Sequence, residues 1–241
     1  MRLIHRVGLV FSLGLLLAAC TSTKNFDSTI NTVTIQSENR VVLMPVDIEL
    51  SLMTASGATE PRAEWTESAK RHVQQAILEF KDQQGFNIVA SDYSLLDGQA
   101  ANDAVDLERL HRAVGGAIVT HKYGVLKLPT KERSFDWTLG TAVQSVAEKY
   151  DADHVLFVFV RDSYTSAGRR TLQVLASLVG VAVQTGQTAA FASLVDADSG
   201  DVTWFNVLSS TGADLRDYDG SQDFVEALFD TIPLESGVVE D

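Results

Sequence analysis

The chain has one cysteine, Cys20, and four prolines in 241 residues. One cysteine excludes a disulfide within the chain, a CxxC redox pair and a cysteine-built zinc site. Stability must come from a buried core, and this length supplies one without covalent staples. Basic residues are also scarce: 19 Lys and Arg stand against 32 Asp and Glu, a formal charge of −13. So acidic a surface argues against nucleic acid as a partner and against broad contact with anionic lipid. The usual catalytic spacings are missing as well. There is no HExxH, no GxSxG, no P-loop and no GxGxxG after a strand. No internal repeat is present.

What is there begins at the first residue. Arg2, His5 and Arg6 form a short positive stretch, and Val7 to Leu17 is an uncharged, mostly apolar run. Eleven residues suit the core of an export signal and fall short of the ~20 that a membrane-spanning helix needs. The run ends in Leu17-Ala18-Ala19-Cys20. This site resembles the lipobox of bacterial lipoproteins, which implies cleavage between Ala19 and Cys20 and lipid on the Cys20 thiol and the new α-amine. Two or more acyl chains make a stable anchor where one does not. The residues that follow, Thr21 and Ser22, include no aspartate, and the resemblance then implies the outer membrane, with the protein facing the periplasm. Removing residues 1–19 takes away two basic residues and moves the formal charge from −13 to −15.

Residues 20–39 read as the lipidated cysteine and a flexible polar tether, with a typical reach of about 25 Å. Residues 40–233 read as a single domain and 234–241 as an acidic frayed tail. Val41 to Met44, ended by Pro45, predicts a buried strand. Residues 51–62 read as a loop. Thr66 is placed to cap a helix to about Gln84, with Ala69, Val73, Ile77 and Phe80 inward and Gly85 as its stop. Phe86 to Val89 predicts a second strand. Asp103 to Val114 predicts a helix with Leu107, Leu110 and Val114 inward. Ala117-Ile118-Val119 reads either as a short strand or as the end of that helix. Thr138 to Tyr150 predicts a third helix, with Leu139, Val143, Val146 and Tyr150 inward. His154 to Val160 is the strongest strand. Thr188 to Val195 and Val202 to Leu208 form a hairpin around Asp196–Asp201, and Ser221 is placed to cap a last helix ending near Ile232. The fold class is therefore α/β (α+β): a mixed sheet with packed helices and a C-terminal antiparallel hairpin.

Three segments resemble a broad group of periplasm-facing lipoproteins that includes the curli secretion-channel lipoprotein and transporter-associated envelope lipoproteins. They are Val42-Leu43-Met44-Pro45 after a polar tether, Ala152-Asp153-His154-Val155-Leu156, and the turn carrying Asp196, Ser199, Gly200 and Trp204. The resemblance implies an α/β periplasmic domain. Two departures set this chain apart from the channel: no pair of amphipathic membrane hairpins, and a long insertion at about Thr120 to Phe135.

The polar residues offer little chemistry. Among His72, His111, His121 and His154 no two are three or four apart, so no helical metal pair exists. His72 and His111 read as surface residues and His154 as a strand-edge residue. Asp196, Asp198 and Asp201 miss the calcium-loop pattern, because Gly200 stands where a ligand is needed. Asp214, Asp217, Asp219 and Gly220 read as a solvated acidic loop. No catalytic residue, metal or cofactor is expected.

One segment stands out. From Thr171 to Val195 there is no Asp, Glu, Lys or Arg. Leu172 to Gln184 fits helical spacing, with Gln173, Ser177, Gly180 and Gln184 on a narrow stripe and the rest apolar. Such a helix is buried in the core, against a partner, or at a membrane. Leu172, Leu175, Ala176, Val179, Gly180 and Val183 are the candidate partner-binding residues. The expected function is a non-enzymatic outer-membrane lipoprotein, held to the membrane through Cys20. It would bind an envelope protein partner, or further copies of itself, in assembly or transport. The alternatives are an envelope hydrolase with an unrecognised site and a subunit of a pore-forming secretion oligomer.

Overall fold

The computed structural model describes the side chains of residues 33–178, 186, 188–209 and 212–235, and the backbone pairing of 23–27. Its centre is β6 (His154–Thr165), a strand with partners on both sides. On one side lie β2 (Arg40–Leu43) and β3 (Asp47–Met53), both parallel to it. They behave as one strand bent at Pro45: β2 pairs with residues 154–156 and β3 with 159–165. Proline has no N–H to give the ladder, so a break there costs little. On the other side β7 (Thr188–Asp196) and β8 (Val202–Leu208) run as an antiparallel hairpin. β1 (Thr23–Asp27) adds to β8, β5 (Asn87–Ala90) to β2, and the short β4 (Thr59–Pro61) to β3. The sheet is mixed, as expected.

Helices cover both faces. α1 (Ala63–Gln84) and α5 (Tyr218–Phe229) lie on one, burying Val73, Ile77, Phe224 and Leu228 against Val41, Leu156, Val158 and Trp204. α2 (Gly98–Ile118) and α3 (Ala142–Tyr150) lie on the other, burying Leu107, Val143 and Val146 against Val155, Phe157, Phe191 and Phe205. The unbroken apolar run of β6 is explained by this: a strand covered on both faces has no polar side.

Several local expectations need correction. Residues 51–62 are not one loop; they hold the end of β3, a turn and β4, because the backbone groups of Ser51 to Met53 pair with residues 59–61. Thr66 is not a cap. α1 starts at Ala63, and the Thr66 hydroxyl accepts from the Leu50 N–H at 3.0 Å, tying the helix to β3. Gly85, at φ 68°, does end that helix. α2 extends from Gly98 to Ile118, so Ala117–Val119 is helix end and not strand. Leu110, expected inward, is exposed, while Leu107 and His111 take the buried stripe. The third helix begins at Ala142, since Thr138 bridges to Asp201 and Leu139 donates its N–H to the Gly200 carbonyl. Ser221 lies inside α5. Asp217 is the cap, accepting from the Gly220 N–H at 2.8 Å, and Ser221 is buried. The expected tether is not all free chain: 23–27 pair with β8, and Ile35 is buried, its N–H on the Pro233 carbonyl. Leu234 and Glu235, expected in the tail, bridge back to Ile35.

Candidate partner-binding surface

β6 and β7 are antiparallel neighbours, and two residues suffice to join such strands. Here residues 166–187 intervene, many more than the join needs. The topology does not need this excursion.

Its base is built firmly. Ser166 donates its N–H to the Met53 carbonyl at 3.0 Å, and its hydroxyl accepts from the Arg169 N–H at 3.3 Å, which caps α4 (Ala167–Leu178). Arg169 is buried and reaches the Ala55 carbonyl in the β3–β4 turn. On the return side the Gly186 N–H meets Thr165 Oγ1 at 3.1 Å and the Thr188 hydroxyl donates to Asp162 at 2.8 Å. Asp162 is itself buried. Desolvation raises its pKa, and the bonds from Thr188, Tyr164 and the Ser163 N–H oppose that rise.

Beyond Arg169 the helix leaves the protein. Leu172, Val174, Leu175 and Leu178 are 46, 62, 56 and 77 % exposed. Four branched apolar side chains on one short helix forgo part of the about 1.5–3 kcal/mol that full burial of each would supply. Of the expected partner-binding residues, Leu172 and Leu175 stand on this projecting surface and Ala176 is half-buried. Val179, Gly180 and Val183 lie outside the described residues. Val174 and Leu178 were not in the expected set. Helical spacing alone places Leu178 three residues after Leu175 and points to it.

The histidines are elsewhere, and two are not where the sequence suggested. His111, expected on the surface, is 3 % exposed. It stacks on Phe157 with ring centroids 4.7 Å apart, and its Nε2 lies 2.8 Å from Ser193 Oγ. Burial pushes its pKa down to about 3, with the Asp47 carboxylate pulling weakly upward. Ser193 is 1 % exposed. Both side chains of this pair are buried, with His111 against the rings of Phe157 and Phe191. His154, expected at an edge, is buried in the central strand between Val41 and Asp196. Desolvation lowers its pKa against the pull of Asp196 and Asp153. His72 is half-buried, edge-on to Tyr218.

The Asp196 turn is a turn: Asp196 accepts from the N–H and hydroxyl of Ser199, and Gly200 takes φ 75°. A hollow of about 300 Å³ beside it is lined by Glu148, Asp151, Asp153 and Asp198. Among the described residues no three His, Cys, Asp or Glu side chains could together hold a metal ion.

The fold and this surface define a three-layer α/β/α domain with an apolar helical excursion. No family model matches the chain, and no curated protein does. Among solved structures it is similar to the PelC dodecamer from Paraburkholderia phytofirmans, at 10 % identity over 86 % of this chain and 96 % of that one, TM-score 0.41. A variant of that dodecamer gives 9 % identity over the same shares, TM-score 0.37. The C-terminal domain of LpoB from Salmonella enterica gives 11 % identity over 73 % of this chain and 84 % of that one, TM-score 0.29.

Proposed function

We propose that this is a non-enzymatic lipoprotein of the bacterial envelope. It is anchored at the outer membrane through Cys20 and works by holding a protein partner in assembly or transport. The observation that carries the partner reading is the exposed apolar face of α4 on a connection the topology does not require. A surface of this kind marks an interaction site in a soluble domain. The anchor reading rests on Leu17-Ala18-Ala19-Cys20 beside a domain with no other cysteine. The two fit together in space. β1 pairs Thr23 with Leu208, which pairs with Ala190, so the chain from Cys20 enters at the sheet end where α4 leaves. A partner on α4 is then met close to the membrane.

The test is site-specific photo-crosslinking in cells expressing the full chain. A crosslinker at position 175 is expected to give a protein-sized adduct of defined mass. The same group at position 198, in the β7–β8 turn, is expected to give none. Leu175→Asp should prevent enrichment of the protein that the adduct identifies. Equal adducts at both positions, or lipid-sized adducts at 175, would overturn the reading.

A further inference from the structure

A second apolar feature projects from the insertion between α2 and α3. α2 passes into a π-helical turn, Val119–Tyr123, and Gly124 leads to Val125 and Leu126, 94 and 63 % exposed. The chain is acidic overall, but here the local balance reverses. Residues 120–136 hold Lys122, Lys127, Lys131 and Arg133 against Glu132 and Asp136, and Lys131 Nζ pairs with Asp136 at 3.0 Å.

The tip is held on a closed neck. The Gly124 N–H donates to the Val119 carbonyl at 2.9 Å, and Lys127 Nζ donates to the Lys122 carbonyl at 2.7 Å. His121 Nδ1 lies 2.8 Å from the Leu126 carbonyl. Behind it Phe135 is buried against Phe205. A tip so fixed keeps its two apolar side chains in water with no neighbour to cover them.

The chain also says what lies nearby. The Tyr123 ring is 6.3 Å from the ring of Phe205, and β8 pairs Phe205 with Phe26 of β1. Phe26 follows Cys20 by six residues, a reach of at most about 20 Å, and Leu126 follows Tyr123 by three, at most about 10 Å. Tip and anchor are thus both joined to the sheet at Phe205 of β8.

We propose that Val125 and Leu126 dip into the lipid surface that holds Cys20, with the lysines beside them set against anionic phosphate headgroups. This rests on the anchored-lipoprotein reading. The mature chain, of net charge −15, is repelled by an anionic surface and turns toward it a stretch of opposite sign. Lysine stems lie along the apolar boundary while their ammonium groups stay wet. The acyl chains give attachment, and the tip fixes which way the domain faces.

The test separates the tip from the anchor. The mature chain carrying Cys20→Ser is floated with vesicles of phosphatidylethanolamine and phosphatidylglycerol, and with vesicles lacking phosphatidylglycerol. Weak, salt-sensitive binding to the first is expected, reduced about a hundredfold or more by Val125→Asp with Leu126→Asp, since two buried apolar side chains are lost. A bimane on Val125→Cys in that background should shift to the blue on the same vesicles, and one on Asp198→Cys should not. No binding by the unlipidated chain, binding untouched by the double substitution, or binding removed by Leu175→Asp instead would overturn the proposal. Failure of the anchor reading shows separately, as fatty-acid labelling of the full chain that persists after Cys20→Ala.

Discussion

Gly115 on α2 faces the ring of Phe191 on β7 so closely that a Cβ added to the glycine would lie within the ring's own contact radius. Phe191 is itself stacked on Phe159 and Phe205, with centroids 4.6 and 5.4 Å away. The ring cannot step aside without moving two others. Gly115→Ala, which favours the helix by about 1 kcal/mol in isolation, is therefore expected to destabilise this domain by about 1–3 kcal/mol. Gly116→Ala, one residue on with open space at its Cβ, should be neutral or stabilising. Urea unfolding of both variants checks this, and equal effects at the two positions would refute the packing argument.

Acid should weaken the fold through His111. In the unfolded chain the imidazole titrates near its usual value of about 6.5. In the folded protein it stays neutral down to about 3. Between those values the unfolded state holds the extra proton, so stability falls as pH drops through the window, by at most about 1.4 kcal/mol per unit. His154 acts in the same direction. Asp162, raised by burial, acts oppositely within the carboxylate range. His111→Gln, which keeps a hydrogen-bonding group near Ser193, should flatten the acid limb of a stability-against-pH curve. An unchanged limb would show that other groups set it.

Leu175→Asp separates an interaction surface from a core. At 56 % exposure the new carboxylate stays hydrated, so the unfolding free energy should hold within the scatter of surface substitutions, about ±0.5 kcal/mol. Leu156→Asp, at a fully buried position on β6, should unfold the domain. If both variants unfold, α4 belongs to the core after all.

Cys20→Ala should abolish labelling with radioactive fatty acid and leave either uncleaved precursor or soluble protein. The expectation comes from the Leu17-Ala18-Ala19-Cys20 site, where the thiol is the acceptor. Labelling of the alanine variant would end the lipoprotein reading.

Much of the fold was legible because its signals are local. Six apolar residues in a row after His154 specify a strand covered on both faces, and Gly85 marks a helix end through its left-handed backbone. The Asp196–Asp201 stretch specifies a turn through its own hydrogen bonds. Misreadings came where a residue's partner is distant in sequence. Thr66 looks like a cap until the Leu50 N–H arrives from β3. His111 looks solvated because charged residues flank it on α2, yet the helix turns its ring onto Phe157, 46 residues on. The β3–β4 pair was missed because its strands are short and exposed, and only their mutual hydrogen bonds make them strands.

The candidate surface divides the same way. The sequence by itself determined that the segment after Arg170 is uncharged and has helical spacing, since both are properties of neighbouring residues. It could not decide whether that apolar helix lies in the core or in water, because burial depends on what other elements bring up to it. Tertiary structure decided this at two places. The β6–β7 pairing closes the sheet without the excursion, and α1, α2, α3 and α5 already cover both faces, leaving no core for α4 to enter. The same holds for the tip at Val125: the two apolar residues are plain in the sequence, but only the folded neck, tied between Val119, Lys122 and Lys127, holds them outward.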